Sequence, residues 1–117
     1  IASQESWRHG QLHGEHKLWL SSGQIYIQGT YVNGEKDGEW KGWYSNGQLE
    51  HQCYYVAGAL EGEWKDWYSN GVKEGICYYV NDKLEGVFKR WYRNGKLKEH
   101  STYYNDRLEG EYKSFYK

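Results

Sequence analysis

The chain has 117 residues, with 15 Lys and Arg against 16 Asp and Glu, and this balance excludes the concentrated positive field that nucleic-acid and anionic-membrane binders need. Met and Pro are absent, and Trp, Tyr and Phe together make 22 residues; disordered chains lack such aromatic content, so a folded protein with a core of rings is expected. No apolar run is long enough to span a bilayer and no secretory signal pattern is present, which predicts a soluble protein.

The chain opens on Ile1 rather than Met, and residues 1–13 read as a partial unit that starts on the second strand of a hairpin. Four full units of 24 residues follow without insertion, at 14–37, 38–61, 62–85 and 86–109, and 110–117 begin another. The second and third agree at 16 of 24 positions, so the repeat is the primary fact about the chain. Both ends cut a hairpin in half and leave edges that solenoids normally cap. A longer array, or partners covering the edges, is the expectation.

Each unit reads as a β-hairpin. GEWKDWY at 62–68 is followed by Ser69-Asn70-Gly71, then by VKEGICYYV at 72–80, and then by a second turn near Asn81-Asp82. Asn-Gly favours a two-residue type I′ turn, because both central residues need positive φ. With Asn46-Gly47 as that turn, Tyr44 faces Leu49, Trp40 faces Cys53 and Gly38 faces Tyr55, so that the invariant Tyr31, Tyr55, Tyr79 and Tyr103 would each cover a bare glycine at Gly14, Gly38, Gly62 or Gly86. The same glycine column continues to Gly110, and Gly47, Gly71 and Gly95 recur at the tips.

Strand alternation then separates two faces. One is an aromatic groove carrying Gly38, Trp40, Tyr44, Leu49, Cys53 and Tyr55, with Tyr31, Trp64, Tyr68, Tyr79, Phe88, Tyr92 and Tyr103 as its counterparts in other units. The other carries Glu39, Lys41, Trp43, Glu50, Gln52 and Tyr54. It is a charged face crossed by the row Trp19, Trp43, Trp67, Trp91 and Phe115, and such a row marks a partner-binding surface. The fold class that follows is all-β: an elongated single-layer antiparallel meander of about ten strands, about 48 Å long at ordinary strand spacing.

The pattern G-x-W-K-x-W-Y-x-N-G followed by Y-Y-x-N-x-x-L-E-G resembles the MORN (membrane occupation and recognition nexus) repeat family, in its longer-period variant, over essentially the whole chain. It departs from the standard repeat, which is one residue shorter and carries a G-x-G pair; here His16, Trp40, Trp64, Phe88 or Tyr112 replaces the second glycine. The resemblance implies a gently twisted sheet with a grooved aromatic face, and a role in scaffolding, dimerisation or partner binding.

Residues that could carry chemistry are absorbed by the repeat. His9, His13 and His16 occupy the slots of Asn33, Asp37 and Trp40, which argues against a zinc site. Cys53 and Cys77 share one column, and two strand spacings put their Cα atoms about 9.6 Å apart, beyond the reach of a disulfide. They read as free thiols in small packing slots, which favours a reducing, intracellular compartment. Carboxylates recur at Glu15, Glu39, Glu63 and Glu111 and at Asp37, Glu61, Glu85 and Glu109, and periodic copies share one environment, whereas acid–base pairs need two.

No enzyme, metal or cofactor is therefore expected. The leading expectation is a non-catalytic scaffold for protein partners or self-association, as a component of a large assembly. Membrane lipid headgroups are the second candidate partner, and an accessory repeat domain of a larger enzyme is the third reading.

Overall fold

The computed structural model describes residues 2–116, apart from the side chain of Glu111. It contains strands β1 (Ala2–Gln4), β2 (Trp7–Arg8), β3 (Gln11–Leu12), β4 (Gly14–Trp19), β5 (Ile25–Val32), β6 (Glu35–Trp43), β7 (Leu49–Val56) and β8 (Ala59–Leu60). They continue as β9 (Gly62–Trp67), β10 (Lys73–Val80), β11 (Lys83–Leu84), β12 (Gly86–Trp91), β13 (Leu97–Tyr104) and β14 (Arg107–Ser114). The main sheet is antiparallel with ten strands along its path, β1-β4-β5-β6-β7-β9-β10-β12-β13-β14, while β8 and β11 extend β7 and β10, and β2–β3 pair separately. One layer of 48 × 33 × 13 Å results.

A single layer has no interior between sheets, so full burial is rare. Trp40, Cys53, Cys77 and Ser101 are the buried side chains among the described residues. Order between units therefore comes from backbone pairing and from side chains that reach the next hairpin. At the Asn-Gly end, the Tyr44 hydroxyl donates to Trp67 O at 2.6 Å and the Tyr68 hydroxyl to Trp91 O at 2.7 Å, and Tyr92 repeats the bond to Phe115 O. Asn46 uses both ends of its amide: Oδ1 accepts the Gln48 N–H within its own turn, and Nδ2 donates to Ser69 O in the next one.

The type I′ turn lies at the other end of the unit from where Asn-Gly predicts it. At the Asn-Gly tip, Gly47 N–H donates to Tyr44 O at 3.0 Å and Tyr44 N–H to Gln48 O at 2.8 Å. Gly47 has φ of 88° and Asn46 is not at positive φ. This is a three-residue loop, a type I turn closed by a left-handed glycine. The I′ signature lies at the opposite end of each unit, where Asn33-Gly34, Ala57-Gly58, Asn81-Asp82 and Asn105-Asp106 all have positive φ.

The longer loop shifts the register by one at the tip, so that Trp43 rather than Tyr44 pairs with Leu49. A bulge at Glu50 takes up the extra residue, and the expected pairs Gly42–His51, Trp40–Cys53 and Gly38–Tyr55 follow. Two corrections result. Leu49 shares the face of Trp43 rather than the groove, and Glu50 joins the groove side, with Oε1 3.4 Å from His51 Nδ1.

A third correction concerns the glycine column. Gly38 does pair with Tyr55, but a Cβ added at Gly38, Gly62, Gly86 or Gly110 would meet no atom within 4 Å, so no ring lies over them. What these positions require is φ of 77°, 92°, 88° and 73° respectively, which side chains disfavour sterically. The column marks an irregularity where the chain passes to the next hairpin: Gln28 pairs Lys41 and Thr30 pairs Asp37, leaving three residues opposite Gly29.

Candidate interaction surface

The groove face is built from rings, most of them set edge to face, with His51 stacked on Trp64 at 5.8 Å between centroids. His16, Tyr31, Trp40 and Tyr55 form a continuous chain, with Tyr31–Trp40 centroids 5.1 Å apart and Trp40–Tyr55 6.4 Å apart. Trp64 meets Tyr79 at 6.3 Å and Phe88 meets Tyr103 at 5.5 Å. Trp40 lies directly over Gly29, whose missing side chain makes the room, and its Nε1 donates to Thr30 O at 3.1 Å. In the next unit Cys53 stands where Gly29 was, and Trp64 is correspondingly only half-buried.

Beside the rings runs a row that column comparison overlooks. Leu18–Ile27, Gly42–His51, Asp66–Gly75 and Arg90–Glu99 are paired within hairpins, and Ile27–Gly42, His51–Asp66 and Gly75–Arg90 between them. Its composition drifts from aliphatic to charged along the array. The signal present in the sequence is complementarity, small against large or acid against base, rather than identity.

Recurrent polar residues serve the backbone. The Asp37, Glu61 and Glu85 carboxylates accept the N–H of Ala57, Asn81 and Asn105, the first residues of the I′ turns one unit on. His13 does the same for Asn33 through Nδ1, and His9 has the positive φ of its turn slot. His16 packs in the groove against Tyr31, so the three histidines go to three separate places.

Cys53 and Cys77 are free and buried. Burial pushes Cys77 up to about 11 and raises Cys53 in the same direction, which leaves neither a thiolate nucleophile near neutrality.

Burial also pushes Tyr55 and Tyr79 up to about 12, above the ordinary tyrosine value of about 10. The folded state holds these protons more tightly than the unfolded one. Their contribution to stability is therefore intact below about pH 10 and is lost as pH rises through about 12, in accord with proton linkage. Alkaline titration followed by tryptophan fluorescence should unfold the protein in that window. Tyr55→Phe with Tyr79→Phe should move the midpoint upward, and an unmoved midpoint would assign the transition to other groups.

On the opposite face a lysine recurs in every unit, at Lys17, Lys41, Lys65, Lys89 and Lys113, and the first three are paired with a neighbouring carboxylate. Lys17, Lys41 and Lys65 lie 2.8, 3.2 and 2.8 Å from Glu15, Glu39 and Glu63. The Gln52 amide, together with Lys41, holds the Glu39 carboxyl below the usual carboxylate range, and Glu63 raises Lys65. Trp19, Trp43, Trp67 and Trp91 are half-buried on this face, and Phe115 is exposed.

More of the exposed apolar surface comes from residues outside the tryptophan row. Tyr54, Tyr78, Val32, Val56, Val80 and Val87 are exposed, Val56 at 58%, and Tyr104 at 62%. Val87 takes the column that holds Glu15, Glu39, Glu63 and Glu111 in other units, so the charged stripe is interrupted by one apolar residue.

The MORN repeat variant model matches residues 12–33, 36–57, 60–81 and 84–105, in segments that start 24 residues apart. The chain belongs to the MORN repeat variant family. No curated protein matches this MORN array. The MORN repeat is a non-catalytic type whose known work is interaction with proteins or membranes. No helix among the described residues is long and apolar enough to cross a membrane.

Proposed function

We propose that this MORN array is a non-catalytic scaffold that collects protein partners, or further copies of itself, on the face opposite the groove. The observation that carries the reading is an exposed strip of Tyr54, Tyr78, Val56, Val80, Val87 and Tyr104 on the same face as the row Trp19, Trp43, Trp67, Trp91 and Phe115, with pairs such as Lys41–Gln52 between strip and row and Lys17, Lys41 and Lys65 each matched by a Glu. Exposed apolar residues that recur along one face mark an interaction surface, and aromatic residues dominate binding energy where they become buried. A rigid layer 48 Å long has room for more than one partner, as an assembly component needs.

Pairing of Lys17, Lys41 and Lys65 with carboxylates also weighs against a lipid-headgroup role, because each counterion is already supplied. The test replaces Trp43, Trp67 and Trp91 with Ser and compares capture of a defined partner set by immobilised wild-type and variant arrays, with sedimentation on anionic vesicles run in parallel. Loss of capture with the fold retained, and no sedimentation by either protein, is the expected result. Undiminished capture would remove the row from the binding surface, and salt-sensitive sedimentation would favour the membrane reading.

A further inference from the structure

The groove contains a departure from periodicity with a chemical meaning. Lys36, from the end of the unit 14–37, places its Nζ over the rings of the unit 38–61, 4.7 Å from the Trp40 ring centroid and 5.3 Å from that of Tyr55. The chain thus seats its own ammonium in a Trp–Tyr wedge, where the ring quadrupoles attract it. The next unit rebuilds the wedge from Trp64 and Tyr79 at 6.3 Å. The column of Lys36, however, holds Leu12, Leu60, Leu84 and Leu108 elsewhere, so Leu60 brings no charge to it.

A carboxylate has been added instead. Asp66 stands where the preceding unit has Gly42. Its Oδ1 is buried without a hydrogen-bond partner, and Oδ2 has only the Trp64 Nε1 donor at 3.5 Å. Across the strand Gly75 makes the room, since a Cβ there would fall 2.7 Å from Asp66 Oδ1. Trp64, Asp66, Gly75, Cys77, Tyr79 and Phe88 line a depression of about 250 Å³, with Arg90 at its edge. Arg90 is drawn away from Asp66 by Glu74 at 3.4 Å and Glu99 at 3.9 Å. Lys89 also lines the depression, with its backbone oxygen beside Gly75, and Arg90 is engaged by Glu74 and Glu99, so Asp66 remains a carboxylate short of donors, which costs free energy that a cation would recover.

The geometry points to this depression as the seat for a lysine side chain of a protein partner, with the ammonium against the Trp64 and Tyr79 rings and its N–H groups supplying Asp66. The stem lies along Phe88. The seat is on the face opposite the tryptophan row and does not depend on that row binding anything.

The probe is n-butylammonium, titrated into the whole chain and followed by heteronuclear NMR. Saturable shifts are expected at the Trp64 indole N–H and the Gly75 amide, but not at the Trp40 indole, whose wedge Lys36 already fills. Asp66→Asn should weaken binding roughly tenfold, the worth of one charge-assisted hydrogen bond. Leu60→Lys, which gives this unit its own ammonium, should abolish it while leaving the fold intact. A lysine-bearing peptide of otherwise uncharged residues should compete with the probe, and its acetylated form should not. Non-saturating shifts matched by n-butanol, wild-type binding by both variants, or equal competition by the acetylated peptide would each overturn the assignment.

Discussion

Trp40→Ala is expected to lower stability by about 3–5 kcal/mol, the range for deleting a buried indole, and to do so more than any other single tryptophan replacement in the chain. Trp40 is the one large side chain among the described residues that is nearly fully buried, at 5% exposure. Its ring covers Gly29, touches Tyr31 and Tyr55 edge to face, and carries Lys36 above it. Its Nε1 donates to Thr30 O. Trp64, in the same column one unit later, is half-buried, packs against His51 and Tyr79, and makes only a long hydrogen bond, to Asp66. Urea unfolding should therefore rank Trp40→Ala well below Trp64→Ala in midpoint. Equal midpoints would mean that the units contribute alike whatever their packing. A small domain has only about 5–15 kcal/mol to lose, so partial unfolding of the units around Trp40 is the form the damage should take in a repeat array.

The second large effect separates two kinds of glycine. Gly29→Ala places a Cβ 2.0 Å from a carbon of the Trp40 ring, an overlap that only displacement of the ring can relieve, at a typical cost of about 1–3 kcal/mol. Gly62→Ala meets nothing within 4 Å but must hold φ at 92°, at about 1–2 kcal/mol. Magnitude alone does not distinguish them, whereas coupling does. Trp40→Phe should recover much of the loss from Gly29→Ala, because a smaller ring clears the new methyl group. Tyr79→Leu, which removes the ring, should recover none of the loss from Gly62→Ala, because the strain resides in the backbone and the new methyl group meets no atom within 4 Å. Rescue of Gly62→Ala by a change at Tyr79 would restore the ring-over-glycine reading.

Much of the architecture was legible because repetition amplifies weak signals. The Gly38, Trp40 and Tyr55 columns returned the correct pairing, since each contributes the same contact in every unit. Asn46-Gly47 misled for a physical reason: Asn-Gly suits a I′ turn, but Asn46 is held by its own side chain to Gln48 N–H in a longer loop. The bulge at Glu50 then conceals the error beyond the tip. Ala57, at φ 48°, occupies a true I′ position that its residue type does not announce. The row from Leu18 to Glu99 was illegible for the opposite reason, since no residue type repeats along it. What Asp66 and Gly75 share is size compensation, which is visible only once the strands are paired. Exposure of Val56, Val80 and Val87 likewise depends on what the next hairpin fails to cover, a property of packing between units rather than of either strand.

The proposal that protein partners meet the face opposite the groove is tested most directly by placing a photo-reactive amino acid at Tyr78 on that face, or at Phe88 in the groove, and irradiating the array during partner capture. A discrete protein adduct is expected from the Tyr78 position, and it should disappear in the Trp43, Trp67 and Trp91→Ser background. Adducts from Phe88 alone, or adducts to lipid rather than protein from Tyr78, would contradict the proposal.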